Sequence, residues 1–400
     1  MNNSPKNCVM TINGGSSSVK YAMYEIEGSL KQLLAGEMVN IGSGNAKLSF
    51  VHSGGVQQHH IDIKVANHSE AAGWLVNWLE KETEYIHIKA IGHRIVQGMD
   101  HGSPELITAK LIKELKVISA YDPEHLPAEI KLIEAFKKHF PKLDQIACFD
   151  TSFHSAMPDI AKLLPIPHKY RDKGIKRYGF HGLSYSYLIE EFERLAGAKS
   201  SKGKIIMAHL GSGASLAAVK NRTSIDTSMG FTPASGLTMS TRTGDLDPGV
   251  AWYLMQSEKL SPKNFNHLVN HQSGLLGISE TTADMQTLLN LQHEDHRAAA
   301  AVDFFCYQAI KWIGAFTAVL GGLDTLIFSG GIGEHSPEIR KRICKALKFL
   351  GIELDETKNE KNETFISADK GKPSVWVIKT NEELMIARSV CTILNYNIKQ

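Results

Sequence analysis

One layout occurs twice in this chain, and it limits the possible folds more than any other feature. CVMTI (residues 8–12) is apolar and rich in β-branched side chains, and predicts a strand. NGGSSS (13–18) follows, a turn of small polar residues. VKYAMYEI (19–26) predicts a second strand, with Val19, Tyr21 and Met23 on one face and Lys20 and Ala22 on the other. Far downstream the order repeats: KIIMAHL (204–210), the turn GSG (211–213), ASLAAVKN (214–221), then another turn and strand in NRTSIDT. Two such hairpins predict an internal duplication and two related domains, although the copies share little sequence.

A third glycine-rich segment has a different neighbour. TLIFSGG (325–331) ends a strand, and IGEHSPEIRKRICKAL continues as loop and helix, with Ser336 as N-cap, Pro337 at N1 and Glu338 in the first turn. Helices are also predicted at 69–82, at 127–139 with Pro127 at N1, from Ser261–Pro262 onward, and at 297–320, stopped by Gly321 and Gly322. The stretch 353–372 reads as a charged surface excursion before a last strand, VWVIKT (375–380). Helices and apolar strands alternate, so the class is α/β. The duplication puts the domain border near 150, giving domains 1–150 and 151–382, with the final helix, about 383–400, returning to the first.

Composition narrows the function. The 400 residues are 42% hydrophobic and 22% charged, which is globular. Lys plus Arg is 44 against 42 Asp plus Glu, a net charge of +2 without a long basic block, so nucleic-acid binding is not expected. Cys8, Cys148, Cys306, Cys344 and Cys391 are scattered without a C-x-x-C, which fits a reducing compartment. The start, MNNSPKNCVM, has no apolar signal region, and no 18 uncharged apolar residues run together, so a cytoplasmic protein away from membranes is expected.

Gly/Ser turns between strands can aim several backbone N–H groups at one point, as phosphate oxygens require. Lys20 adds a point charge beyond the first turn, and Asn13 before it is a neutral oxygen ligand suited to Mg²⁺. An ordinary hairpin with a permissive turn satisfies the same pattern. It is not a Walker A loop, because G-K-[ST] is missing. A second set of charged residues lies among glycines: His93 and Arg94 in GHRIVQG, Asp150 and His154 in FDTSFH, Arg177 and His181 in RYGFHG, and Arg242, Asp245 and Asp247 in MSTRTGDLDPG. Each alone is as well explained by a surface ion pair or a core histidine; four together suggest an anion site. HEDH (293–296) has the wrong spacing for a zincin, and His59–His60 reads as part of a solvated loop.

Together these segments resemble the acetate kinase family, within the superfamily of sugar kinases, heat-shock chaperones and actin. The likeness spans nearly the whole chain and is carried by INGGSSSVK, FDTSFHSAMP, RYGFHGLSY, DTSMGFTPASGLTMSTRTGDLDPG, FSGGIGE and TNEELMIAR. It implies two duplicated actin-like (ribonuclease H-like) domains closing on a nucleotide cleft. It also implies ATP as co-substrate, Mg²⁺ with Mn²⁺ as a substitute, a short carboxylate converted to an acyl phosphate, and a homodimer. The resemblance implies that Asn13 and Glu382 hold the metal and that Lys20 meets the phosphates with His209, Leu210, Gly211, Ser212 and Gly213. Asp284, Met285 and Gln286, with Gly331, Ile332, Gly333, Glu334 and His335, would surround the nucleoside. Arg94 would bind the carboxylate, with Val96, Phe180 and Pro233 around the acyl group. Arg242 and His181 would stabilise the transferring phosphoryl group, His125 would help, and Asp150 is the family's catalytic acid.

Physical chemistry suits that allotment. Phosphoryl transfer spreads charge over three equatorial oxygens, and two anions must meet, so donors of positive charge should dominate. A small carboxylic acid, with a pKa of roughly 4 to 5, is ionised at neutral pH and needs no base. Asp150 is therefore expected to act through a metal, a water or an arginine. The chain departs from the family at Gln97–Gly98–Met99, where H-G-G is usual, and at Glu124 and Leu126, where P-L-H-N-P is usual. Ser212, Gln286 and His335 replace the usual Asn, Arg and Asn near the nucleotide. Glu124 beside the acyl pocket points to an acid more polar than acetate or to a side chain turned to solvent. A propionate or other short-chain acid kinase, and a non-transferring ATPase or sensor of the same fold, are the alternatives.

Overall fold

The computed structural model describes residues 6–15, 17–53, 55, 59–82, 86–368 and 372–398. The first turn is described apart from Ser16, which lies outside these residues, as do parts of the polar stretch after Ser53 and of the 353–372 segment. The chain divides into two compact units: Met1–Ser152 with Asn381–Gln400, and Phe153–Thr380.

In the first unit the strands are β1 (Lys6–Gly14), β2 (Val19–Glu25), β3 (Lys31–Val39), β4 (Ala46–His52), β5 (His59–Ile63), β6 (Ile86–Ile95), β7 (Glu105–Leu106) and β8 (Asp144–Phe149). They form one sheet in the order β5-β4-β3-β2-β1-β6-β8-β7. β1, β2 and β3 are antiparallel neighbours, whereas β1, β6 and β8 run parallel. One face buries Met10, Ile12, Tyr21 and Met23 against helices His68–Glu82 and Leu126–His139, which contribute Leu75, Val76, Leu79, Leu132 and Phe136. Each such side chain contributes roughly 1.5–3 kcal/mol when fully buried. Helix Glu382–Ile393 packs against β1 and β6. Gly92 makes that contact possible: a Cβ there would stand 2.4 Å from Ile386 Cγ2 and 2.7 Å from Val390 Cγ2.

The second unit repeats the plan. Its strands are β9 (Lys204–Leu210), β10 (Ala214–Lys220), β11 (Thr223–Thr227), β12 (Thr325–Ser329) and β13 (Ser374–Val377), in the order β11-β10-β9-β12-β13. β9, β10 and β11 are antiparallel neighbours, and β9, β12 and β13 run parallel. This matches β3-β2-β1-β6-β8 strand for strand, so the duplicated actin-like α/β architecture is present in both sheets. Helix Gly182–Ala196 covers Ile205, Met207, Ala217, Val219 and Ile327. The alternate residues Ile206, Ala208, Leu216 and Ala218 are equally buried, and helix His296–Leu320 packs on β9 and β10 and ends at Gly321 with φ of 68°.

Several local expectations need correction. Residues after β12 do not form an open loop: Gly330–His335 is a short helix, anchored because Glu334 Oε1 accepts from Ser329 Oγ and from the Gly330 and Thr380 amides. Ser336 precedes Pro337–Ala346 but makes no side-chain cap bond. His59 and His60 lie on β5 rather than in a loop, where Phe50 stacks on His59 and Ser49 bonds His60. The 353–372 segment is more than a surface excursion, since Asn359, Ile366 and Ser367 are fully buried and Asn359 receives Arg340 Nε. The last strand stops at Val377, and Pro127 follows the first helical residue, Leu126. Among the described residues no helix is long and apolar enough to cross a membrane.

Candidate active site

In the first unit, five charged or polar groups converge at the carboxyl ends of the parallel strands, where open α/β sheets bind ligands. β1 delivers Asn13, β6 delivers Arg94, Asp150 follows β8, and helix Glu382–Ile393 opens with Glu382 and Glu383. Arg94 Nε donates to both Asp150 oxygens at 3.1 Å, and Nη2 reaches Oδ2 at 2.5 Å. Arg94 Nη1 donates to Asn13 Oδ1 at 3.0 Å. Asn13 Nδ2 in turn donates to Glu382 Oε2 at 3.0 Å and Glu383 Oε1 at 3.2 Å. Burial opposes the Arg94 charge, but Asp150 and then Glu382 outweigh it and keep the guanidinium charged. A guanidinium has five N–H bonds. Three are engaged here, and one remains on each terminal nitrogen, the pair that can fork onto a carboxylate.

Behind Arg94 the same unit holds two more buried carboxyl groups. Both Glu129 oxygens accept from the Val96 amide, at 3.1 and 3.2 Å. Burial, then the Asp122 charge, raises the Glu129 pKa well above the ordinary value. Asp122 Oδ1 pairs with His125 Nδ1 at 2.9 Å. Lys20 is exposed on β2, paired with Asn13 in the register, and its charge acts on Glu383. Burial and the neighbouring Glu382 raise the Glu383 pKa.

Among the described residues no three His, Cys, Asp or Glu side chains cluster for a metal. Mg²⁺ needs no such cage, because it takes one or two carboxylates with waters and phosphates. Asn13, Glu382 and Glu383 fit that requirement: all are hard oxygen donors, and a dication would relieve the mutual repulsion that lifts Glu383.

In the second unit the polar groups surround the glycine turn at 211–213. His181 precedes helix Gly182–Ala196 in a left-handed conformation, φ 59°, which costs a non-glycine residue about 1–3 kcal/mol. Its ring stacks on His209 with centroids 4.4 Å apart. Gly213 keeps the turn open beneath them, since a Cβ there would lie 3.3 Å from His181 Nε2 and 3.9 Å from Arg242 Nη1. Arg242 Nη1 also donates weakly to the Pro233 carbonyl at 3.4 Å.

These groups are matched by similarity over the whole chain. Residues 8–388 match the model described as the Acetokinase family. The chain belongs to the acetokinase family. An acetate kinase of Rickettsia felis is 41% identical over 394 residues, covering 97% of this chain and 100% of the relative. One from Rhodopseudomonas palustris strain TIE-1 is 38% identical over 388 residues, covering 96% and 97%. Among solved structures, a propionate kinase from Francisella tularensis has a TM-score of 0.89 at 36% identity, covering 96% of this chain and 98% of that one. The Porphyromonas gingivalis acetate kinase has 0.86 at 34%, covering 97% and 100%. The acetokinase-family chain is thus an enzyme, a phosphotransferase with a carboxyl group as acceptor.

The anticipated residues divide between the units. Arg94, Asp150, Asn13, Glu382, Lys20, Val96 and His125 lie in the first, while His181, Arg242, Phe180, Pro233 and the 209–213 turn lie in the second. Val96, Phe180 and Pro233 are buried, Glu124 is half-buried, and Gln97 is buried with Oε1 accepting from the Met99 amide at 2.8 Å. Asp284 caps helix Met285–Leu291 through Thr287, which lowers its pKa, and Gln286 beside it is exposed. Gly331 and His335 are exposed, but the Glu334 carboxylate is turned inward.

Other flagged groups serve the fold. His93 and His154 are buried, and burial lowers each pKa to about 4. Arg177 bonds Asp226 at 2.8 Å and the Thr227 carbonyl; Asp245 takes the Gly236 amide, and Asp247 caps helix Pro248–Ser257. Sequence reasoning missed Glu129, Asp122, Glu383, Ser184 and Ser215. Only Glu383, adjacent to Glu382 in TNEEL, carried a signal.

Proposed function

We propose that this enzyme transfers the terminal phosphoryl group of ATP to acetate, reversibly, forming acetyl phosphate and ADP by direct in-line attack of the carboxylate. The reading rests chiefly on Arg94: its inner N–H groups are held by Asp150 and Asn13, and its two remaining N–H groups suit a small carboxylate. Acetate arrives ionised, so Asp150, fully buried against Arg94, holds the guanidinium and removes no proton. Val96, Phe180 and Pro233 exclude water from the acyl group, and His125, fixed by Asp122, assists. Arg242 and His181 stabilise charge on the transferring phosphoryl oxygens. The 209–213 turn and Lys20 hold the phosphates; Asp284–Gln286 and Gly331–His335 flank the nucleoside. Asn13 and Glu382 would hold Mg²⁺, or Mn²⁺ in its place, and such an ion would neutralise charge on the phosphate oxygens.

In this reading the first unit handles the carboxylate, and Phe153–Thr380 handles the nucleotide. Helix Pro248–Ser257 has no buried residue and exposes Trp252 and Tyr253 at 68% and 62%, which supports a homodimer across that face. Five buried free cysteines fit the cytoplasm.

A second reading, a propionate or other short-chain acid kinase, is favoured by the likeness to a propionate kinase. Trapping of acyl hydroxamate by hydroxylamine, with ATP, Mg²⁺ and acids of two to four carbons, tests both. Acetate is expected to give the highest kcat/KM, and a preference for propionate selects the second reading. ATP hydrolysis without hydroxamate from any acid makes the protein an ATPase or sensor of this fold.

A further inference from the structure

The two stacked histidines are each backed by a hydroxyl chain. Thr380 Oγ1 donates to Ser184 Oγ at 2.8 Å, and Ser184 Oγ lies 2.8 Å from His209 Nδ1. A serine hydroxyl has one proton. With Thr380 as its donor, Ser184 keeps its own proton to give to His209 Nδ1, which would put the ring's proton on Nε2. The second chain runs Tyr185 Oη to Ser215 Oγ at 2.5 Å and Ser215 Oγ to His181 Nδ1 at 2.9 Å. The His209 main chain also bonds Tyr185 Oη in the sense that favours the phenolate, as an N–H donor does. Passing the phenol proton to Ser215 would leave the Ser215 proton for His181 Nδ1. Ser184, Ser215 and Tyr185 are fully buried, so water does not compete for these bonds.

Both Nε2 atoms lie beside the glycine turn. His181 Nε2 is 3.3 Å from the position a Cβ would take at Gly213, and His209 Nε2 is 4.0 Å from that position at Gly211. An imidazole with its proton on Nδ1 would offer a lone pair to an incoming phosphate oxygen and repel it. We propose that Ser184 and Ser215 are positioning residues whose hydroxyl chains fix both imidazoles as Nε2–H tautomers, so that each donates to a phosphoryl oxygen at the turn. The stack makes the pair a single unit, because rotating one ring displaces the other. Thr380 is the last residue of the second unit before the chain crosses to Asn381 and Glu382, so one chain of bonds begins beside the segment proposed to hold the metal. The inference rests on the phosphotransferase reading for its purpose, but not for its test.

The test is the tautomer itself. The full-length enzyme, labelled with ¹⁵N-histidine, is measured by long-range ¹H–¹⁵N correlation at pH 8, with His181→Gln and His209→Gln assigning the signals. The expected wild-type pattern is Nδ1 unprotonated and Nε2 protonated in both rings. Ser184→Ala is expected to give a mixed tautomer at His209, and Ser215→Ala at His181. Each should lower kcat about 10- to 100-fold, the usual effect of losing an orienting partner, with nucleotide KM changed less than about threefold. Ser184→Thr, which keeps the hydroxyl, should restore the wild-type pattern. A wild-type Nδ1–H at either ring overturns the proposal without any variant, and so does an unchanged Nε2–H pattern in both alanine variants. Hydroxamate formation in the same samples reports separately on phosphoryl transfer, so failure of one reading is distinct from failure of the other.

Discussion

Arg94 and Asp150 meet through two guanidinium nitrogens, with Asp150 wholly shielded from water. A carboxylate so placed is poorly sited to take a proton from a substrate that has none to give. Its removal leaves a buried guanidinium without its main counter-charge. Asp150→Asn is expected to lower kcat/KM for acetate by about 10²-fold, in line with the 1.5–3 kcal/mol of a charged hydrogen bond. The acid limb of the pH–rate profile should stay where it is. Steady-state kinetics from pH 5 to 9 check this, and an acid limb that vanishes in the variant would make Asp150 a general base.

Arg242 is expected to act on the transferring group and not on bound substrates. Arg242→Ala should lower kcat by about 10³ or more while KM for acetate and ATP moves much less. Initial-rate measurements with each substrate varied decide this, and equal kcat in variant and wild type rejects the role.

Gly213 leaves the space into which His181 and Arg242 extend. A methyl group there meets His181 Nε2 at 3.3 Å. The backbone at this position is not left-handed, so Gly213→Ala should fold normally. It should lower kcat at least tenfold and leave Tm within about 2 °C. Differential scanning calorimetry beside kinetics checks both, and wild-type kcat would remove the turn from the site.

His93 and His154 give the protein an acid-side weakness. Burial lowers each folded-state pKa to about 4, from an ordinary value of 6.5. Between those values the unfolded chain binds more protons than the folded one, so stability is full above about pH 6.5 and falls as pH drops towards 4. His93 is buried beside Gln145, and His93→Leu removes its titrating group. The fall in Tm from pH 7 to 5 should be smaller in His93→Leu than in wild type. An equal or larger fall contradicts the assignment.

Much of this was legible in the residues, because the strongest signals are backbone signals. The glycine turns at 13–18 and 211–213 announced the paired hairpins, since only small residues serve there, and the alternation of Val19, Tyr21 and Met23 placed them on one face of a strand. Asn13 stood out just before the first turn, and Arg94 and Asp150 as charged residues in segments lying among glycines. Glu129 did not: on helix Leu126–His139 it looks like part of a solvated face, and the Val96 amide that binds it comes from the chain just after β6; Asp122, in the loop before that helix, carried no pattern either. Ser184 and Ser215 were equally silent, because a serine in a helix or strand has no pattern of its own; its partners come from another element. The helix Gly330–His335 was hidden by its glycines, and Glu334 holds it by bonds that propensity does not register.

The central claim is that a carboxylate oxygen attacks phosphorus directly. The most direct measurement follows ¹⁸O from labelled acetate into acetyl phosphate by ³¹P NMR, with ATP and Mg²⁺ present. An isotope shift on the acetyl phosphate resonance, from ¹⁸O in the bridge to phosphorus, is the predicted result. Acetyl phosphate with no label next to phosphorus, or no acetyl phosphate at all, contradicts it.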